Sequence, residues 1–134
     1  MNSALIGVVL ALAICASAAW TGMGRERSFY PTVVMAIASY YVLFALMGGT
    51  MAALGWEIVA MLVFAGLAIA GYKTSSWLVV AALAAHGVFD LLHPQLFVNA
   101  GVPAWWPVFC LACDVVMAAW LAVQLSRPSP GPAS

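Results

Sequence analysis

The sequence predicts an all-α integral membrane protein, a bundle of five transmembrane helices with its N-terminus outside and its C-terminus cytoplasmic. Three observations carry this reading. The 134 residues are 66% hydrophobic and only 6% charged, whereas soluble domains carry about a quarter charged residues. The apolar residues fall into five runs of near-bilayer length, for which ~20 residues at a rise of ~1.5 Å are needed. The 4 basic residues, Arg25, Arg27, Lys73 and Arg127, all fall in connections that a five-span chain places on one side. The positive-inside rule makes that side the cytoplasm.

The first run, residues 3–22, starts with no Lys or Arg and lacks the basic region of a secretory signal, so it reads as a genuine span. The others cover 29–48, 51–71, 76–93 and 104–125. Breaks at 23–28, 49–50, 72–75 and 94–103 contain Gly, Pro, Ser, Thr or charge, which stop helices. Residues 1–126 thus form a single transmembrane domain, and 127–134, rich in Pro, Ser and Gly, form a disordered cytoplasmic tail. Trp56, Trp105 and Trp106 suit the outer interface, and Trp77, Phe29 and Tyr30 the inner one. The small residues Gly66, Ala70, Ala81 and Ala85 offer close helix contacts. A mean hydropathy of +1.10 leaves no room for a soluble domain. With no basic run, nucleic acid is not an expected partner.

Function is expected where the spans carry titratable groups, because such groups are costly in lipid and mark sites. His86, Asp90 and His93 are spaced four and three apart, within about 60° on one helix face. Glu57 on span three and Asp114 on span five lie at compatible depths, and Tyr40 and Tyr41 can add hydroxyls from span two. His86, Asp90, His93 and Glu57 are the expected ligands of a transition metal such as zinc, iron or copper. Glu57, Asp90 and Asp114 are the expected catalytic acid–base groups. The blander alternative is a hydrogen-bonded plug that fixes helix register. Cys110 and Cys113 form a CxxC motif beside Asp114. Buried small hydrophobes are the preferred reading of this pair, with a thiolate contribution to a metal left open.

Gly24-Arg25-Glu26-Arg27-Ser28-Phe29-Tyr30, a glutamate in the next run, then His86, Asp90, His93, Trp105, Cys110 and Asp114 together resemble a group of small bacterial multi-span proteins of unknown function. The resemblance spans about residues 25–125, implies the bacterial inner membrane and brings no activity with it. The HxxxDxxH spacing is also similar to that of metal-dependent intramembrane hydrolases, which are larger; neither their residues nor their zinc is transferred.

Three functions follow from these residues. The first, and the one chosen, is a membrane-embedded enzyme with an outward-facing site for an apolar, lipid- or isoprenoid-like small molecule. The second is a small oligomeric proton- or cation-coupled transporter, which makes a homo-oligomer an option. The third is an accessory subunit of a membrane complex. The inner half is nearly bare, with Thr32, Ser39 and Gln124 as its main polar candidates, and this one-sidedness favours the enzyme.

Overall fold

A computed structural model describes residues 2–128. The chain is all-helical: α1 (Ser3–Thr21), α2 (Phe29–Gly48), α3 (Met51–Lys73), α4 (Ser76–Leu96) and α5 (Trp106–Ser126), with a 3-10 turn at Met23–Arg25. All five helices are long and apolar enough to cross a membrane. Large apolar side chains such as Leu46, Leu62, Val88 and Val115 cover the outside, as lipid contact requires. The segment 129–134, most of the expected tail, lies outside the described residues.

Local chemistry sets the helix ends. The side chains of Asn2, Thr50 and Ser75 accept hydrogen bonds from the backbone amides of Ala4, Ala53 and Trp77, capping α1, α3 and α4. Gly22 ends α1 at φ +83°, a left-handed conformation that glycine adopts without strain. Only Gly49 and Thr50 separate α2 from α3, so these two helices must run antiparallel side by side.

Several boundaries differ from the sequence expectation by one to three residues, α3 running on to Lys73, and two of the shifts have a visible local cause. Helix α4 runs past His93 and through Pro94 to Leu96. Proline cannot donate to the carbonyl four residues back, which is that of Asp90, yet the last turn persists because the Phe97 amide donates to the His93 carbonyl at 2.9 Å. Helix α5 begins at Trp106, not at 104, because the Trp106 amide is engaged by the Pro103 carbonyl in a turn.

Helix α4 is the centre of the bundle. It packs most extensively on α5, then on α3 and α2, while α1 packs on α5 and α2 on α3. Of the residues expected to make small-residue contacts, Ala81, Ala85 and Gly66 are exposed and Ala70 is half-buried, and a Cβ on Gly66 meets nothing within 4 Å. Close approach uses other glycines. A Cβ on Gly87 would lie 3.3 Å from the Asp114 Cβ, and one on Gly7 would overlap the Phe109 carbonyl. Gly87 therefore sets how near α4 comes to α5, one residue from His86.

Candidate metal and acid–base centre

Glu57, His86, Asp90, His93 and Asp114 are all buried, none more than 2% exposed. Each faces the middle of the bundle because α4 is surrounded by the helices that carry the others. They form two linked groups rather than one pocket.

The deeper group joins α4, α5 and α2. His86 Nδ1 donates to Asp114 Oδ2 at 2.7 Å and lies 3.5 Å from Asp90 Oδ2. Asp90 Oδ1 accepts a 2.7 Å hydrogen bond from the Tyr41 hydroxyl. Cys110, one turn before Asp114, is 2% exposed and completes the set. One donor atom from each of His86, Asp90, Cys110 and Asp114 lies within 4.8 Å of the others. His86 Nε2, Asp90 Oδ2 and Asp114 Oδ1 find no hydrogen-bond partner in the protein. Buried polar atoms of this kind are costly, and in low dielectric they seek a ligand, a proton or a cation.

The second group joins α4, α3 and the loop before α5. His93 Nε2 donates to Glu57 Oε1 at 2.7 Å, and Asn99 Nδ2 donates to the same oxygen at 2.9 Å. Asn99 also donates to the Tyr41 carbonyl at 3.2 Å, and its own Oδ1 accepts from the Gly101 amide. The loop is thereby pinned to α2, where Gly101 sits so close to the Phe44 carbonyl that a Cβ would overlap it.

Tyr41 connects the two groups. Its ring stacks on His93 with centroids 4.0 Å apart and planes at 21°, while its hydroxyl reaches Asp90. Phe64 and Phe89 stand edge-on to His86 and His93 at 4.7 and 5.5 Å. These rings wall the polar groups off with apolar surface, which strengthens every hydrogen bond inside.

The expected ligand set is divided by this geometry. His86 and Asp90 belong to the metal-type group, whereas Glu57 and His93 pair with each other. Asp114 and Cys110 take their places beside the first two. Tyr40 does not join the centre: it is 40% exposed and packs against Trp106 at 5.0 Å. Trp106 is correspondingly drawn inward against Tyr40 and Phe44, so of the two adjacent tryptophans Trp105 is the more exposed. Cys113 turns away and donates to the Gly7 carbonyl at 3.3 Å, holding α5 to α1. The two cysteines of the CxxC motif thus serve different ends.

Asn99 was not among the expected site residues. Its signal is present in the sequence, as one of two amides, with Gln95, in the otherwise apolar break that follows His93. No known protein family matches the chain, and no curated protein or solved structure matches it significantly. The chain is defined by its fold and its centre: an all-helical protein fit to span a membrane, with a buried His/Asp/Cys group able to hold a metal ion.

Proposed function

We propose that this protein is an intramembrane metalloenzyme acting on an apolar, lipid- or isoprenoid-like molecule. One observation carries the reading: His86, Asp90, Cys110 and Asp114 bring four ligand-type side chains together within 4.8 Å, fully inside the bundle. An imidazole, a thiol and two carboxylates suit zinc or ferrous iron better than calcium or magnesium, which prefer all-oxygen sites. A metal held there would polarise a substrate oxygen as a Lewis acid.

The remaining roles belong to the chain itself. Glu57 keeps Oε2 free of hydrogen bonds while Oε1 is fixed by His93 and Asn99, which suits a proton acceptor held in one orientation. His93 positions Glu57 by donating its Nε2 proton to Oε1. Tyr41 holds Asp90 in place and separates the two groups by the width of one ring. Asn99 is half-buried and bonded to Glu57, so an apolar substrate would enter beside it.

An enzyme fits better than a transporter because the polar groups stop at the depth of His86. Toward the basic end the core is Val34, Ala68, Leu83, Met117 and Leu121, joined by Tyr30, with no buried carboxylate or imidazole among the described residues. Of the expected inner-half groups, Thr32 and Ser39 are exposed on the outside of α2 and donate to the Ser28 and Ala36 carbonyls, while Gln124 is half-buried at the basic end of α5.

Elemental analysis of detergent-purified protein, prepared without chelator, tests the proposal. Wild type should hold close to one equivalent of a transition metal, His86→Ala and Cys110→Ala should lose it, and His93→Ala should keep it. A folded wild-type protein without metal, or a His86→Ala variant with the metal retained, would overturn the reading.

A further inference from the structure

At the end of the bundle that carries Arg25, Arg27, Lys73 and Arg127, far from the polar centre, lies a cavity of about 830 Å³. Its size falls within the ~300–1,000 Å³ of small-molecule sites. Arg25, Arg27, Arg127 and Gln124 stand around it, with Glu26 as the one acidic group. Three guanidiniums against one carboxylate leave the rim net positive. None of the three arginines forms an ion pair among the described residues, so all remain open to an anion.

Two further features favour an anion carried on an apolar body. Ser76, the first residue of α4, lines the cavity, so the positive end of a helix of 21 residues opens into it. Below the rim, the walls are Val79, Leu121 and Leu125. Tyr30 closes the wall, 3% exposed, with its hydroxyl beside the buried Cys15 thiol. Guanidiniums match phosphate oxygens in pairs, which ammonium groups do not. A charged rim over an apolar floor at the end of membrane-length helices is the arrangement that a phospholipid presents in reverse.

We propose that this cavity binds the phosphate group of an amphipathic anion, with Arg27 and Arg127 as its principal ligands and the acyl stem against Leu121 and Leu125. The site is independent of the metal centre and does not rest on the enzyme reading. Its role is to hold an anionic lipid against α2, α4 and α5, where their ends meet.

The test uses the full chain in neutral detergent and three probes: dioctanoyl phosphatidylglycerol, dioctanoyl phosphatidylcholine and inorganic phosphate. Binding is read by native mass spectrometry and by the shift in thermal unfolding. Wild type should bind the glycerol lipid well above the choline lipid. The double variant Arg27→Gln/Arg127→Gln should bind it about thirtyfold more weakly, from two basic contacts at a charged surface. Arg25 and Lys73 remain in that variant to hold orientation, and unchanged helicity by circular dichroism shows that it is folded. The double variant Arg27→Lys/Arg127→Lys keeps the charge and should bind with intermediate strength, because it lacks the paired geometry. Inorganic phosphate that binds as tightly as the glycerol lipid would keep the phosphate site and identify the source as free phosphate. Equal binding of the two lipids, or undiminished binding by the Gln variant, would overturn the proposal.

Discussion

Tyr41→Phe is the sharpest test of the centre, because it removes one oxygen and leaves the packing in place. The phenylalanine ring keeps the 4.0 Å stack on His93 and the edge contact with Phe89 at 5.6 Å. What is lost is the 2.7 Å hydrogen bond to Asp90, which is wholly buried and already has Oδ2 unpaired. Leaving a buried acceptor unsatisfied costs about 1–3 kcal/mol in soluble proteins, whereas interhelical hydrogen bonds in membranes reach only ~1.7 kcal/mol at most. The expected loss is therefore about 1–2 kcal/mol, near tenfold in the unfolding equilibrium. Unfolding in mixed micelles by dodecyl sulfate titration, followed by helicity, measures it. Adding Asp90→Asn completes a double-mutant cycle, in which the pair should couple by about 1 kcal/mol. If Tyr41→Phe unfolds within ~0.3 kcal/mol of wild type and the two changes simply add, the pairing of Tyr41 with Asp90 is wrong.

Other substitutions separate the parts of the structure. Gly87→Ala puts a Cβ 3.3 Å from the Asp114 Cβ, so it should push α4 from α5, weaken metal retention and lower stability by roughly 1 kcal/mol. Gly66→Ala, which meets nothing within 4 Å, should leave the metal in place and stabilise the helix by about 0.5–1 kcal/mol in the same titration. Cys113→Ala should retain the metal that Cys110→Ala loses, because the Cys113 thiol serves the Gly7 carbonyl and not the centre. Asn99→Ala removes the loop's bonds to Glu57 and Tyr41, and faster hydrogen exchange at Gly101 and Val102 should report the released loop.

Much of this was legible in the sequence, for reasons that differ by feature. Helix number and position follow from hydropathy and length alone, and α2 keeps its expected bounds, residues 29–48. The burial of Glu57, His86, Asp90, His93 and Asp114 follows from the cost of exposing such groups to lipid. Which of them meet depends on helix rotation and neighbour order, and apolar spans carry almost no signal for either. That is why Tyr40 and Tyr41, adjacent in the chain, go to opposite surroundings, and why the ligand set expected from α4 and α3 is drawn instead from α4 and α5. Pro94 misled as a boundary because a proline in the last turn forfeits only one hydrogen bond. The small-residue motif misled because alanine and glycine are frequent on lipid-facing surfaces too, and Gly87, in no such motif, makes the close approach.

The arrangement around α4 also bears on the choice between the proposed centre and a register plug. From one narrow stripe, His86 reaches α5, Asp90 reaches α2 and His93 reaches α3, so three hydrogen bonds lock three neighbours to one helix. Register needs no more than that, and it could be had from hydroxyls and amides that bury no charge. Interhelical hydrogen bonds in lipid are worth about 0.6 kcal/mol each on average, less than the cost of a single unsatisfied buried polar atom. Yet Glu57 Oε2, His86 Nε2, Asp90 Oδ2 and Asp114 Oδ1 are all left without partners in the protein. A plug built for stability would have paired these atoms or dispensed with them. Keeping four of them, three in a cluster with Cys110 at ligand spacing, makes sense when what they bind is not part of the chain.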